Sequence, residues 1–320
     1  MKSKLLAVLK ENYPEYVSGE KLSGELSCSR TAVWKHIEKL RKEGYIIKAV
    51  RNRGYLLENS PEAFSAHAVS SQLSGAMLPY HVNFYRVLSS TQPEAQRLFL
   101  EGAREGTVVI ADSQTSGRGR LGREWQTREG KGLAMSIILT PGIPPYKAPQ
   151  LTLAAAVSIV KAVKKVTGVN MEIKWPNDLL INGRKACGIL TEMQSDPDQV
   201  RSVIVGIGLN VKKDDFSGEL ENTAVSLEEA AGMELDRADL ASAILMQFAS
   251  DYQLFLEKGF KGLKDDWEKH TCTLGRTVRV EQNGVYFTGR AESVDDQGIL
   301  QLRTEDGRIH PVVSGDIELS

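Results

Sequence analysis

Residues 116–125 read SGRGRLGREW, with three glycines, three arginines and a tryptophan in ten positions. So much positive charge with so little side-chain volume is incompatible with a buried core segment. Gly117, Gly119 and Gly122 permit positive φ and a close approach of backbone to a ligand. Arg118, Arg120 and Arg123 offer planar donor forks suited to carboxylate and phosphate. The stretch is therefore expected to be a flexible loop that closes over an anion, with Trp125 supplying a flat apolar face for a heterocyclic ring. The letters also fit G-x-G-x-x-G, but that fingerprint must open a helix directly after a strand. Here the strand candidate at 107–111 is followed by a polar spacer, and the residues after Gly122 are a poor helix start. A nucleic-acid tether of the arginine-glycine kind would need repetition, and this stretch occurs once. An inert surface loop stays open from this segment alone.

A chain of 320 residues exceeds what one core usually serves, so two or three domains are expected. No stretch approaches the ~18 apolar residues of a membrane span, and Lys2, Lys4 and Lys10 interrupt any apolar leader. These features point to a cytoplasmic protein without a membrane partner. Cys28, Cys187 and Cys272 lie far apart with no C-x-x-C spacing, and the five histidines form no H-E-x-x-H pair, so neither a disulfide framework nor a protein-bound metal is expected. The net charge of -1 conceals an asymmetry, because residues 1–60 carry twelve Lys or Arg against seven Glu and no Asp. A basic head on an acidic body suggests that the head meets a polyanion.

The head, residues 1–62, reads as a winged helix-turn-helix. Leu5, Leu6, Val8 and Leu9 mark a first helix that stops before Pro14, and Ser18 caps a second through Leu22 and Leu26. Ser27 and Cys28 make a short turn. Ser29 is placed as N-cap of a third helix whose buried face is Val33, Ile37 and Leu40 and whose terminator is Gly44. Ser29, Arg30, Thr31, Trp34, Lys35 and Lys39 fall on the other face, the composition of a recognition helix in a major groove. A hairpin over 45–57 puts Arg51 and Arg53 at a basic tip suited to phosphate. A protein-interaction domain with a solvated basic face is the competing reading.

After a linker at 58–66, residues 67–271 alternate helix and strand. Strands are expected at 82–88, 107–111, 133–139, 171–174, 179–181, 184–193 and 202–207. Helices are expected after a Ser89-Ser90-Thr91 cap, at 149–166 as an amphipathic element, and at 236–257. Asn182-Gly183 is a strong hairpin signal. Hairpins among mixed strands argue for an α+β sheet rather than a doubly wound parallel one. From 272 to 320, short strands at 277–281, 286–294, 300–303 and 309–313 are separated by turn residues such as Asn283-Gly284, which suggests a small β-barrel.

A second group of segments sharpens the reading: KWPND at 174–178, RKACGIL at 184–190 and GIGLN at 206–210. Together with GRGRLGREW, and in this order, they resemble the biotin protein ligases, specifically the bifunctional kind that also repress biotin genes. The resemblance runs over most of the chain. It implies a class II synthetase-like core and an SH3-like C-terminal barrel. It also implies a two-step reaction: biotin and ATP, with Mg²⁺, form biotinyl-5'-AMP, and a lysine of the biotin carboxyl carrier protein of acetyl-CoA carboxylase then takes the biotin. The same adenylate would act as corepressor, promoting a homodimer on operator DNA.

Both partners of the first step are anions, so cationic groups are what the chemistry needs. No G-x-x-x-x-G-K-[ST] loop is present, which leaves the arginine-glycine loop as the phosphate clamp. By resemblance, Ser90, Thr91, Gln92 and Gln114 contact biotin, Gln92 standing where Asn is often found. Gly117, Arg118, Gly119, Arg120 and Arg123 belong to the closing loop, and Trp125 lies against adenine. Lys174 and Asn177 belong to the second motif. Gly188, Gly206, Gly208 and Asn210 let strands approach the adenylate. Lys185, a charge among the apolar residues at 186–190 on a strand expected to enter the core, is the candidate for polarising the biotin carboxyl. Asp178 either steers the attacking lysine or helps bind metal, or is a turn-forming Asx residue. Two rivals remain at this level: a lipoate ligase relative, and a ligand-sensing transcription factor without catalysis.

Overall fold

The computed structural model describes residues 2–12, 15–42, 45–50, 53–59, 64–214, 216–282 and 285–319. Pro14, Gly44, Arg51, the linker residues 60–63 and the turn at 283–284 lie outside the described residues, so the expectations placed on them are not addressed. The chain divides into two units, residues 1–65 and 66–320.

In the first unit, helices α1 (Lys2–Glu11), α2 (Gly19–Leu26) and α3 (Arg30–Lys42) precede a hairpin of β1 (Ile46–Val50) and β2 (Gly54–Asn59). Helical spacing sets its core: Leu5, Leu9, Leu22, Leu26, Val33, Ile37 and Leu40 bury together against Ile47 and Leu57. Ser18 caps α2 by accepting the Lys21 N–H, and Ser29 Oγ accepts the Ala32 N–H at 3.2 Å to open α3. Gly54, at φ 108°, lets the hairpin press on the α1–α2 connection, where a Cβ would stand 2.1 Å from the Val17 carbonyl.

The second unit is built on a seven-stranded mixed sheet in the order β3-β4-β5-β9-β8-β7-β6. Its elements in chain order are α4 (Ala66–Ser70), β3 (His81–Leu88), α5 (Thr91–Leu100), β4 (Thr107–Gln114), β5 (Gly132–Leu139), α6 (Gln150–Thr167), β6 (Glu172–Lys174), β7 (Asp178–Ile181), β8 (Arg184–Ser195), β9 (Val200–Asn210), α7 (Leu227–Ala231), α8 (Arg237–Lys258) and α9 (Lys264–His270). Only β3 and β4 pair in parallel; every other neighbouring pair of this sheet is antiparallel. The arrangement is the mixed α+β core expected from the hairpin signals. Asn182 and Gly183 both take positive φ in the β7–β8 turn, the geometry a two-residue hairpin demands.

The structure corrects several local expectations. Helix α6 is not amphipathic in the usual sense, since residues 150–160, 162 and 163 are all buried. It is packed by the sheet on one side and by α8 and α9 on others, which its run of Ala and Val allows. Strands β4, β8 and β9 run longer than their hydrophobic stretches, because pairing to neighbours continues through Ser113 and Gln114, Gln194 and Ser195, and Gly208 to Asn210. The short helices α4, α7 and α9 carry too few residues for a periodic signal.

The C-terminal part is a five-stranded antiparallel sheet of β10 (Thr277–Gln282), β11 (Val285–Val294), β12 (Leu300–Thr304), β13 (Ile309–Val312) and β14 (Asp316–Leu319), in the order β13-β12-β11-β10-β14. The last strand was missed in the sequence because it is short and polar, with Asp316 and Glu318 flanking the buried Ile317. This sheet is pinned to the core through KWPND: Trp175 is buried, its Nε1 donates to the Gly298 carbonyl at 3.2 Å, and its backbone N donates to Thr273 Oγ1 at 2.9 Å. Among the described residues, no helix is long and apolar enough to cross a membrane.

Candidate active site and nucleic-acid interface

Antiparallel register places Ala134 opposite Gly208 and Ser136 opposite Gly206 across β5 and β9, and Gly188 opposite Gly208 across β8 and β9. Alternation along a strand puts these small residues on one face of the sheet. The result is a trough with almost no side-chain floor. It forms part of a cavity of about 1180 Å³ lined also by the arginine-glycine loop, the KWPND turn, Lys185 and the near face of the C-terminal sheet. The glycines are not empty spaces facing a future ligand alone. A Cβ at Gly208 would stand 2.3 Å from the Trp125 indole, and one at Gly206 would stand 2.8 Å from Gln92 Oε1. Their missing side chains seat Trp125 and Gln92 directly on the sheet.

At one end of the trough, α5 begins. Ser90 occupies the N-cap position, yet its side chain makes no cap bond. Gln114, from the end of β4, takes that role: its Oε1 accepts the Thr91 N–H at 2.9 Å, and its Nε2 donates to Thr127 Oγ1 at 3.0 Å. The expected serine-threonine cap is thus replaced by a side chain 23 residues away, a tertiary contact no local pattern announces. Ser136 Oγ lies 2.8 Å from both Thr91 Oγ1 and Gln92 Oε1, and Gln92 Nε2 donates to Glu192 at 2.9 Å. Ser90, Thr91 and Gln92 are all buried and all line the cavity, a set of donors and acceptors suited to a small polar ring. Ser136 and Glu192 were not foreseen; their only sequence signal is position on strands facing the trough.

At the other end stands Lys185. The β7–β8 pairing slips by one residue, with Leu179 opposite Cys187 and Leu180 opposite Lys185, so Ala186 is extra and the strand bulges. The strand enters the core as expected, with Ala186, Cys187 and Ile189 buried, while Lys185 stays at its edge. Its side chain, 38% exposed, reaches Asp178 Oδ1 at 2.7 Å, and its Nζ sits 5.7 Å from the centre of the Trp125 ring. Its backbone is clamped by residues 223–225: Lys185 N donates to Thr223 O at 2.6 Å, and Val225 N donates to Lys185 O at 3.0 Å. Cys187, two residues further along the strand and buried, has its thiol pKa pushed up by that burial, which makes it a poor nucleophile.

The loop itself is ordered by a bridge between Arg118 and Glu124. Gly117 is required there, because a Cβ would stand 2.2 Å from the Trp125 carbonyl. At the tip, Leu121 takes φ 55° and ψ 29° and is 78% exposed, a conformation disfavoured for a residue with a Cβ. Arg120 donates to Asn177 Oδ1 at 3.1 Å, while Asn177 Nδ2 donates to Ile189 O at 3.1 Å. Lys174 and Gly119 line the same cavity. Asn210 donates to Lys185 O at 3.4 Å and lines a smaller adjoining cavity of about 140 Å³ with Trp125, Lys131, Lys212, Phe216, Leu220 and Ala224. The last five lie in stretches without a recognisable motif and were missed.

In the first unit, Ser29, Arg30, Thr31, Trp34, Lys35 and Lys39 are exposed along α3, with Trp34 at 51%. Arg30 is 3.0 Å from Glu20, and Arg53 stacks over the Tyr16 ring at 4.5 Å.

A sheet whose small-residue face receives an arginine-glycine loop from one side and a paired lysine from the other has the frame that an acid-activating ligase needs. Residues 84–210 match the model of the biotin/lipoate A/B protein ligase family, residues 273–320 that of the biotin protein ligase C-terminal domain, and residues 2–56 an HTH domain. The chain is 46% identical over 321 residues to the bifunctional ligase/repressor BirA of Bacillus subtilis (strain 168), with 100% of this chain and 98% of that protein covered. It is 30% identical to the bifunctional ligase/repressor BirA of Escherichia coli (strain K12), with 99% and 96% covered. The chain therefore belongs to the family of bifunctional biotin ligase/repressors. The fold agrees with the biotin protein ligase from Aquifex aeolicus in complex with biotin and ATP, at a TM-score of 0.66 and 31% identity, covering 75% of this chain and 98% of that one.

Proposed function

We propose that this protein condenses biotin with ATP to biotinyl-5'-AMP, transfers biotin to a lysine of a biotin carboxyl carrier protein, and represses biotin genes as a ligand-promoted dimer in the cytoplasm. Residues 1–62 would read DNA, residues 67–271 would carry the ligase chemistry and residues 272–320 would complete the nucleotide side. The observation that carries the ligase reading is Lys185 Nζ, held 2.7 Å from Asp178 and beside Trp125 at the mouth of the glycine trough.

In the first step a biotin carboxylate oxygen attacks the α-phosphorus of ATP and pyrophosphate leaves. Lys185 would bridge carboxylate and phosphate, offsetting their repulsion as charge redistributes in the transition state. Arg118, which has no side-chain ion pair among the described residues, is available for the anion, and Trp125 for the adenine face. Ser90, Thr91, Gln92 and Gln114 would orient the biotin rings. Mg²⁺ would arrive with the triphosphate: among the described residues no group of three or more His, Cys, Asp or Glu forms a cage for it, which suits an ion carried mainly by substrate oxygens. In the second step the acceptor amine attacks the anhydride carbonyl and AMP leaves. Asp178, freed when Lys185 turns to the adenylate, would take the amine's proton. Pyrophosphate release that requires biotin and ATP together tests the reading, and its absence would favour a ligand sensor without catalysis.

Two expected outcomes follow. Arg120 ties the loop to Asn177, and a charge-assisted bond of this kind is worth about 1.5–3 kcal/mol. Arg120→Gly is therefore expected to shorten the lifetime of bound biotinyl-AMP roughly tenfold or more, seen as biotin on bystander lysines; an unchanged lifetime would contradict it.

On DNA, one head contacts one half-site, so specific repression needs two copies. Ordering of the loop by the adenylate would favour the dimer only through its different affinity for the two states. Footprinting of a biotin-gene operator is expected to show protection that strengthens with biotin plus ATP, weakens by roughly an order of magnitude or more between 50 and 200 mM salt, and disappears when residues 1–65 are removed. Equal protection with and without ligand would refute the coupling.

A further inference from the structure

Two of the three loop arginines share one carboxylate, and it comes from the C-terminal sheet. Asp316 lies 2.6 Å from Arg123 and 3.5 Å from Arg120, and Arg120 also donates to the neighbouring Gly315 carbonyl at 3.3 Å. Asp316 opens β14 opposite Glu281 of β10. Gly315 permits this tight entry, since a Cβ there would stand 2.7 Å from the Glu281 carbonyl. The carboxylate is thus fixed by strand pairing, while the loop it meets is short, glycine-rich and bent through Leu121 in a left-handed conformation. A loop of that composition loses much entropy on ordering; its own backbone ties its base and tip, Trp125 N to Gly117 O at 2.9 Å and Gly119 N to Arg123 O at 2.7 Å, and Arg120 and Arg123 are anchored from outside by Asn177 and the C-terminal sheet.

From these contacts we infer that Asp316 is a positioning residue for the anion loop. By binding Arg120 and Arg123 it folds the loop before nucleotide arrives and leaves Arg118 as the arginine free to meet phosphate. The inference rests on reading the cavity as an adenylation site, and it gives the C-terminal sheet a specific part in that site. The alternative use of the same contacts, as a clasp that nucleotide must break, predicts the opposite sign.

The test uses the full chain with Asp316→Asn, which keeps shape and removes charge, and Asp316→Glu, which keeps charge. Exposed and half-exposed ion pairs are individually weak, so a moderate effect is expected. In the absence of ligand, trypsin should cut after Arg118 and Arg120 roughly three to ten times faster in Asp316→Asn than in the parent, and at near-parent rate in Asp316→Glu. In pyrophosphate release, KM for MgATP should rise by a similar factor with kcat little changed, and the effect should be non-additive with Arg123→Gln. Unchanged loop cleavage in Asp316→Asn overturns the inference, as does a lowered KM or strict additivity. The cleavage assay needs no activity, so a parent protein that releases no pyrophosphate would refute the ligase reading while leaving the loop contact to be judged by cleavage alone.

Discussion

Lys185→Met is expected to slow pyrophosphate release by about two to three orders of magnitude, the loss seen when one preorganised charge-stabilising donor is removed from an active site. The variant should still fold. The lysine side chain is more than a third exposed and lies at the edge of the trough, so its removal leaves no cavity. Methionine retains most of its apolar stem, and Asp178, the partner left behind, lines the cavity with its side chain 19% exposed. Binding of biotin alone should change less than the rate, because the ammonium is asked to act where carboxylate and phosphate meet. A folded Lys185→Met protein that releases pyrophosphate at the parent rate would remove Lys185 from the mechanism and, with it, the main support for the site.

A second large effect is expected far from the chemistry. On α6, Lys161 Nζ lies 3.1 Å from Asp251 Oδ1 and 2.6 Å from Asp266 Oδ2. The Asp251 side chain is only 5% exposed, and its other oxygen accepts from Ser158 at 2.9 Å and Gln247 at 3.1 Å. Lys161→Met removes that cation and leaves a buried carboxylate whose remaining donors among the described residues are neutral, a change that costs about 3 kcal/mol. For a domain of this size that is a fall in Tm of roughly 6 to 12 °C, with pyrophosphate release at low temperature unaffected.

The pH dependence has a definite sign. The hydrogen bond from Lys161 holds the Asp266 carboxyl below its ordinary value despite the opposing effect of partial burial. A depressed carboxylate contributes stability above its unfolded value of about 4 and loses it as pH falls through the folded value. The part of the difference between parent and variant that comes from Asp266 should therefore be full near neutrality and shrink below about pH 4. A constant difference down to pH 3 would show that the ion pair is not its source.

What could be read from the sequence was the part governed by short-range rules. Helical spacing fixes Val33, Ile37 and Leu40 as the inner face of α3, and Ser29 as its cap, because a helix repeats every 3.6 residues whatever surrounds it. Asn182-Gly183 sets the β7–β8 turn because few residues other than asparagine and glycine tolerate positive φ there. Ten residues dense in arginine and glycine cannot be core, which marks them as a loop. The family resemblance rested on four such segments standing in order.

Tertiary structure decided what those segments do to one another. Strand register, which depends on partners as far apart in the chain as Gly132 and Asn210, set Gly188, Gly206 and Gly208 on one face and made them seats for Gln92 and Trp125. A bulge at Ala186, invisible in composition, turned Lys185 out of the sheet towards Asp178. The cap of α5 came from Gln114 rather than from Ser90, and the arginines of the loop found Asp316 about 190 residues downstream on a strand too short and too polar to announce itself. Local propensity is encoded within a few residues and so is legible in them. Register, bulges and ion pairs between distant segments arise only when strands compete for partners and charges for counter-charges in the folded chain.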